Sequence, residues 1–108
     1  MNPSDFIVQS NSLLSDRVRL AIMAVLVGEE KPIDFNALVE RLKVTKGNLS
    51  AHILRLESEG LLTVKKEFIG RKPRTTYRCT ARGRREMNEY LANIEALLKR
   101  THGDRNDD

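Results

Sequence analysis

Tryptophan is absent from this 108-residue chain, cysteine occurs once, proline three times, and three Phe and two Tyr are the whole aromatic set. Cys79 has no second cysteine to join, so a disulfide framework is excluded and a reducing, cytoplasmic setting is expected. No apolar run approaches the roughly 18 residues that a bilayer span needs, so no membrane role is expected. Met1-Asn2-Pro3-Ser4-Asp5 lacks the basic and apolar stretches of a secretory signal. A phosphate-cradling glycine loop and a Ser-centred nucleophile motif are also missing. The two histidines, His52 and His102, are too far apart in sequence for a local metal-binding pair. No catalytic residue, metal site or cofactor is therefore nominated, and an enzyme is not expected.

What is present is a globular composition, 40% apolar and 31% charged. The length suits a single domain, expected over residues 1–100, with a polar, disordered tail over residues 101–108. Charge is unevenly placed. Residues 1–40 carry a net −3, residues 41–85 a net +10 and residues 86–108 a net −3. Many charge runs are only solvated faces, but one this lopsided favours a polyanionic partner, because clustered cations attract phosphate and displace its counterions.

Along the chain, helical spacing of Val18, Ile22, Val25 and Leu26 predicts a helix from about Asp16 to Val27, with Ser15 as its N-cap and Gly28 as its stop. Upstream, Ser4 is placed to cap a shorter helix carrying Phe6, Ile7, Ser10 and Leu13/Leu14. A third helix runs to Leu42, capped by Asp34, with Ile33 stapled to Leu38. Thr45 then caps a fourth, from Lys46 to Glu59, with Val44 stapled to Leu49. Two capped helices across a short turn make a helix-turn-helix; such turns often hold Gly, and here Lys43 stands in that place.

The fourth helix buries Leu49, Ile53 and Leu56, which leaves Gly47 and Ala51 opposite, flanked by Asn48, Ser50 and Arg55. Small residues admit a close approach, and the polar set can donate and accept at base edges. The alternative is an ordinary surface helix. Gly60 ends it. The period then changes to two, with Leu62, Val64, Lys66 and Phe68 on one parity and a second run from Thr75 to Cys79, a hairpin whose tip carries Arg71, Lys72 and Arg74. From Thr80 to about Arg100 a long helix has Met87, Tyr90/Leu91, Ile94 and Leu97/Leu98 on a near-heptad stripe. That is more apolar surface than so small a domain easily covers. Dimerisation through Phe6, Met87, Leu91, Ile94 and Leu98 is expected, with core packing as the alternative. Cys79 reads as a small core residue, and His52 as a packing or backbone-bonding one.

This order of elements, with "RLAIMAVL" from Arg19, "FNALVERLKVTKGNLSAHILRLESEGLL" from Phe35 and "GRKPRTTYRCTARGR" from Gly70, resembles winged-helix transcriptional regulators of the MarR and ArsR type, in a small one-domain subgroup of bacteria and archaea. The resemblance covers about residues 15–98. It implies a mainly α fold with a β-hairpin wing (α+β), a winged helix-turn-helix, acting as a homodimer on double-stranded DNA. It places Lys46, Gly47, Asn48, Ser50, Ala51 and Arg55 toward the major groove, with Thr45 a further DNA-binding residue and Arg71, Lys72 and Arg74 along the backbone or minor groove. Thr80-Ala81-Arg82-Gly83 departs from the pattern in lacking the Pro or acidic residue common after that Thr. The Cys and His clusters of metal-sensing relatives are missing, and no polar constellation points to a small-molecule effector. The competing function is a winged-helix module docking on protein or RNA without reading an operator; cations at both the wing tip and the start of the recognition helix argue for DNA.

Overall fold

The computed structural model describes Asp5 and residues 12–106, with side-chain environments through Thr101. A helical turn, α1 (Ser12–Ser15), leads into α2 (Arg17–Gly28), followed by β1 (Ile33–Asp34), α3 (Phe35–Leu42), α4 (Lys46–Ser58), β2 (Leu62–Ile69), β3 (Lys72–Cys79) and the long α5 (Ala81–Asn106). Apart from α1, the expected upstream helix and its Phe6 lie outside the described residues.

Each helix start has an identifiable acceptor. Asp16, rather than Ser15, caps α2: the Val18 and Arg19 amides donate to Asp16 Oδ1 at 2.9 and 3.0 Å. Both residue types can cap; Asp16 takes the role, and its carboxylate also lies 3.9 Å from Nε2 of the distant His52. Asp34 and Thr45 cap α3 and α4 as expected, accepting from Ala37 N at 2.8 Å and Asn48 N at 3.2 Å. The staples sit in place: Ile33, Leu38 and Leu49 are buried, with Val44 packed against the same cluster. Lys43 forms the turn in a left-handed conformation, φ 53°, and its amide donates to Val39 O at 2.9 Å. At the other end of α4, Gly60 N donates to Glu57 O and Leu61 N to Leu56 O, with Gly60 at φ 79°. That 5→2 and 6→1 pair is the Schellman arrangement.

The three strands form one antiparallel sheet in the order β1-β3-β2, with Ile33 opposite Tyr77 and Leu62 opposite Cys79. The hairpin is longer than alternation alone predicted. Strand pairing continues to Ile69 opposite Lys72, so the irregular Ile69–Arg74 segment shrinks to the two-residue turn Gly70-Arg71. Gly70, at φ 64°, supplies the left-handed conformation such a turn requires. Pro73 is accommodated within β3 because β1 reaches only Thr76 and Tyr77, leaving one side of β3 open further out.

The core lies where α2, α3 and α4 meet the sheet: Ile22, Met23, Leu26, Leu38, Leu49, Ile53, Leu56, Leu61, Leu62 and Tyr77 are all buried. Met23 is fully buried while Val18 and Val25 are only partly so, because the contact face of α2 is rotated toward Ile22 and Met23. Each such aliphatic side chain contributes about 1.5–3 kcal/mol by leaving water. Leu13 and Leu14 of α1 close one side.

α5 begins with a dense junction. Thr80 Oγ1 donates to Gly60 O at 2.7 Å and accepts from Gly83 N at 2.9 Å, while Thr80 N donates to Leu61 O at 3.1 Å. One threonine thereby caps α5 and ties it to the end of α4. The helix runs to Asn106, past the Arg100 end read from its apolar positions. Met87 is 2% exposed, taken up by the core of its own chain, which removes it from the surface expected to meet a second copy.

Candidate nucleic-acid interface

The orientation of α4 follows from its burial. With Leu49, Ile53 and Leu56 facing inward, Lys46, Gly47, Asn48, Ser50, Ala51 and Arg55 are all exposed, as is the capping Thr45. No atom outside the helix lies within 4 Å of where a Gly47 Cβ would stand, so the start of the helix is open to close approach. Arg55 reaches along the helix to Glu59, Nε to Oε1 at 3.8 Å, a surface pair worth little and readily exchanged.

Arg71, Lys72 and Arg74 are exposed at the far end of the hairpin. Arg74 sits opposite Glu67, whose carboxylate also meets Lys65 at 3.6 Å. Between α4 and the hairpin runs a notch of about 520 Å³, bordered by Ser50 and Leu54 of α4, Asn36 of α3, Lys66 of β2, and Arg74 and Thr75 of β3. Asn36, Leu54 and Lys66 were not singled out from sequence. Leu54, 66% exposed, carried one signal: a large apolar residue off the buried stripe. Lys66 carried none, because its place depends on which sheet face meets α4.

His52 is half-buried at the edge of α4, and its partner is a side chain rather than the backbone. The Arg19 guanidinium, which can only donate, lies 3.1 Å from Nδ1, so that nitrogen accepts. Asp16 Oδ1 is 3.9 Å from Nε2. Arg19 Nε also donates to Leu13 O at 2.7 Å, so one arginine links α1, α2 and α4. The Arg19 amide hydrogen bond holds the Asp16 carboxyl below the usual carboxylate range; partial burial opposes this, and the charges of His52 and Arg19 reinforce it.

Cys79 is half-buried against the core, its thiol donating to Thr80 O at 3.2 Å. Burial pushes the thiol pKa up, away from thiolate reactivity, with Arg84 pulling weakly the other way. Burial likewise raises the Tyr77 phenol, with Glu57 adding to it. Among the described residues, no group of three His, Cys, Asp or Glu side chains is placed to hold a metal ion, and no helix is long and apolar enough to cross a membrane.

Three helices around a capped turn, a three-stranded sheet and an exposed two-stranded extension define a winged helix-turn-helix protein. Residues 18–98 match the sequence profile of the winged helix DNA-binding domain, and the chain belongs to that family. An uncharacterized protein of Methanocaldococcus jannaschii is 38% identical over 82 residues, covering 76% of this chain and 88% of that one. The structure of a transcriptional regulator homologue from Pyrococcus horikoshii superposes with TM-score 0.82 at 32% identity, over 92% of this chain and 96% of the other. A PadR family transcriptional regulator from Eggerthella lenta superposes with TM-score 0.65 at 30% identity over 97% of both chains. Bacillus subtilis PadR, solved in complex with operator DNA, shares the fold with TM-score 0.58 at 18% identity, over 66% of this chain and 45% of its own.

The Pyrococcus and Eggerthella relatives are transcriptional regulators, not enzymes. The expected winged-helix fold is shown, while the expected MarR/ArsR type is not: PadR-like regulators fit better, with one of them aligning along nearly the full length.

Proposed function

We propose that this chain is a sequence-specific, double-stranded-DNA-binding transcriptional regulator that acts as a homodimer, with α4 in the major groove and the wing on the backbone or minor groove. The observation that carries the reading is the outward face of α4. Burial of Leu49, Ile53 and Leu56 turns Lys46, Gly47, Asn48, Ser50, Ala51 and Arg55 outward together, and the notch beside them leads to the cations of the wing. Asn and Arg can pair bidentately with base edges, and small residues let the helix enter. Fold kinship with a PadR solved on its operator supports the same use here. A second copy has a surface to meet on α5, where Leu91 and Leu98 are 46% and 54% exposed and Ile94 is half-buried.

The test is a competition titration of operator, selected from genomic fragments, against random duplex. Asn48→Ala and Arg55→Ala should each lose about 1–3 kcal/mol on the operator and almost nothing on random duplex. Arg71→Ala, Lys72→Ala and Arg74→Ala should weaken both alike and lower the salt slope by about one unit each. Equal losses on both duplexes for Asn48 and Arg55 variants mean α4 does not read sequence; unchanged salt slopes mean the wing does not touch phosphate. Binding to a protein or RNA with no duplex affinity selects the docking-module reading instead.

A further inference from the structure

The wing tip carries a feature that phosphate contact does not explain. Phe68 and Ile69, adjacent in β2, are 74% and 54% exposed, and Phe68 is the most exposed of the large apolar side chains among the described residues. Their strand positions put them on opposite faces of the hairpin. Phe68 stands across from Pro73 and Ile69 across from Lys72, with only the Gly70-Arg71 turn beyond. Sheet packing onto the core would leave apolar residues on one face, the one that continues from Leu62 and Val64. An apolar ridge covering both faces of a two-residue tip is instead shaped for insertion. Its surroundings are cationic: Arg71 and Lys72 adjoin it, Lys66 and Arg74 stand a step behind, and the nearest acid, Glu67, is engaged by Lys65.

We propose that Phe68 and Ile69 form a wedge that enters the minor groove of duplex DNA and partly unstacks a base step, kinking the duplex. The inference rests on the DNA-binding reading above. Lys66 and Arg74 border the same notch as Ser50 of α4, so a duplex engaged by that helix has its backbone led toward the hairpin and its minor groove toward the tip. Apolar side chains inserted between base steps unstack them and bend DNA by about 20–90°, and flexible pyrimidine–purine steps yield most easily. The wedge therefore adds a preference at base steps that α4 does not touch.

The experiment uses the full chain on operator duplexes carrying 2-aminopurine at successive steps beneath the wing, with end-to-end energy transfer reporting the bend. The unmodified protein should raise 2-aminopurine fluorescence at one step and shorten the end-to-end distance. Phe68→Ser combined with Ile69→Ser should abolish both signals and weaken operator binding roughly tenfold. The salt slope should stay the same, since no charge is removed, and Phe68→Leu should retain the bend. Circular dichroism and sedimentation accompany each variant. If the serine variant bends DNA as well as the parent, or if it loses self-association instead, the wedge is refuted. If the parent binds duplex but leaves it straight, the wedge falls and the regulator reading stands. If the parent binds no duplex, both fall.

Discussion

Replacing Gly83 with Ala would normally favour a helix, since Ala exceeds Gly in helix propensity by up to about 1 kcal/mol. At this position the change should do the opposite. Gly83 lies in the first turn of α5, pressed against the chain where it leaves α4. A Cβ built there would collide with the Leu61 carbonyl oxygen and come within 2.9 Å of Met23 Cε and 3.0 Å of Leu61 C. Met23 has a flexible end that can yield, but the Leu61 carbonyl is backbone and already accepts from Thr80 N at 3.1 Å. Moving it strains that bond together with the Thr80 Oγ1 bonds to Gly60 O and Gly83 N. Overpacking costs about 1–3 kcal/mol, and a weakened buried hydrogen bond about 1 kcal/mol more. After the propensity gain is subtracted, a net loss of roughly 1–3 kcal/mol remains. For a domain of about this size that lowers Tm by roughly 5–20 °C. Thermal and urea unfolding followed by circular dichroism measure it. Gly47→Ala is the control: with nothing within 4 Å of the new methyl group, it should gain up to about 1 kcal/mol. If Gly83→Ala matches or exceeds the parent in stability, the close approach of α5 to Leu61 is not a constraint and the reasoning fails.

Lys43 is held left-handed at φ 53°, so Lys43→Gly should leave the protein as stable or stabler by up to about 1 kcal/mol, while the β-branched Lys43→Val should lose about 1–2 kcal/mol in urea unfolding; similar values for the two would refute the strain argument. Asp16→Ala should cost about 1 kcal/mol at neutral pH through the lost cap. Because the folded carboxyl is held below its usual range, that contribution is present above the unfolded carboxylate pKa and fades as pH falls through the lowered folded value, so parent and variant should converge on acidification. A gap that stays constant into strong acid would mean the charged carboxylate is not the capping group. Leu91→Glu combined with Ile94→Glu should yield a folded monomer by sedimentation, because burying charge is costly only where a partner covers it; an unmodified protein already monomeric at micromolar concentration would contradict the homodimer.

The features legible from the chain alone are local in origin. The Asp34 and Thr45 caps, the Leu49–Ile53–Leu56 stripe, the Gly60 stop and the hairpin were legible because each depends on residues a few positions apart, where backbone geometry sets the spacing. The outward face of α4 followed from the stripe it buries. Everything requiring two distant segments was decided by tertiary structure. Ser15 and Asp16 are equivalent caps by chemistry; Asp16 takes the role, and only the fold brings the distant His52 beside its carboxylate and against Arg19. Met87 looked like any member of the α5 stripe until α5 docked and buried it, leaving the exposed part of the stripe to Leu91 and Leu98. The notch brings together Asn36, Leu54 and Lys66 from three elements, and only the packing of α4 on the sheet makes them neighbours. Gly83 is constrained for the same reason: its limit comes from the carbonyl of Leu61, which the fold places against it and which no spacing along the chain announces.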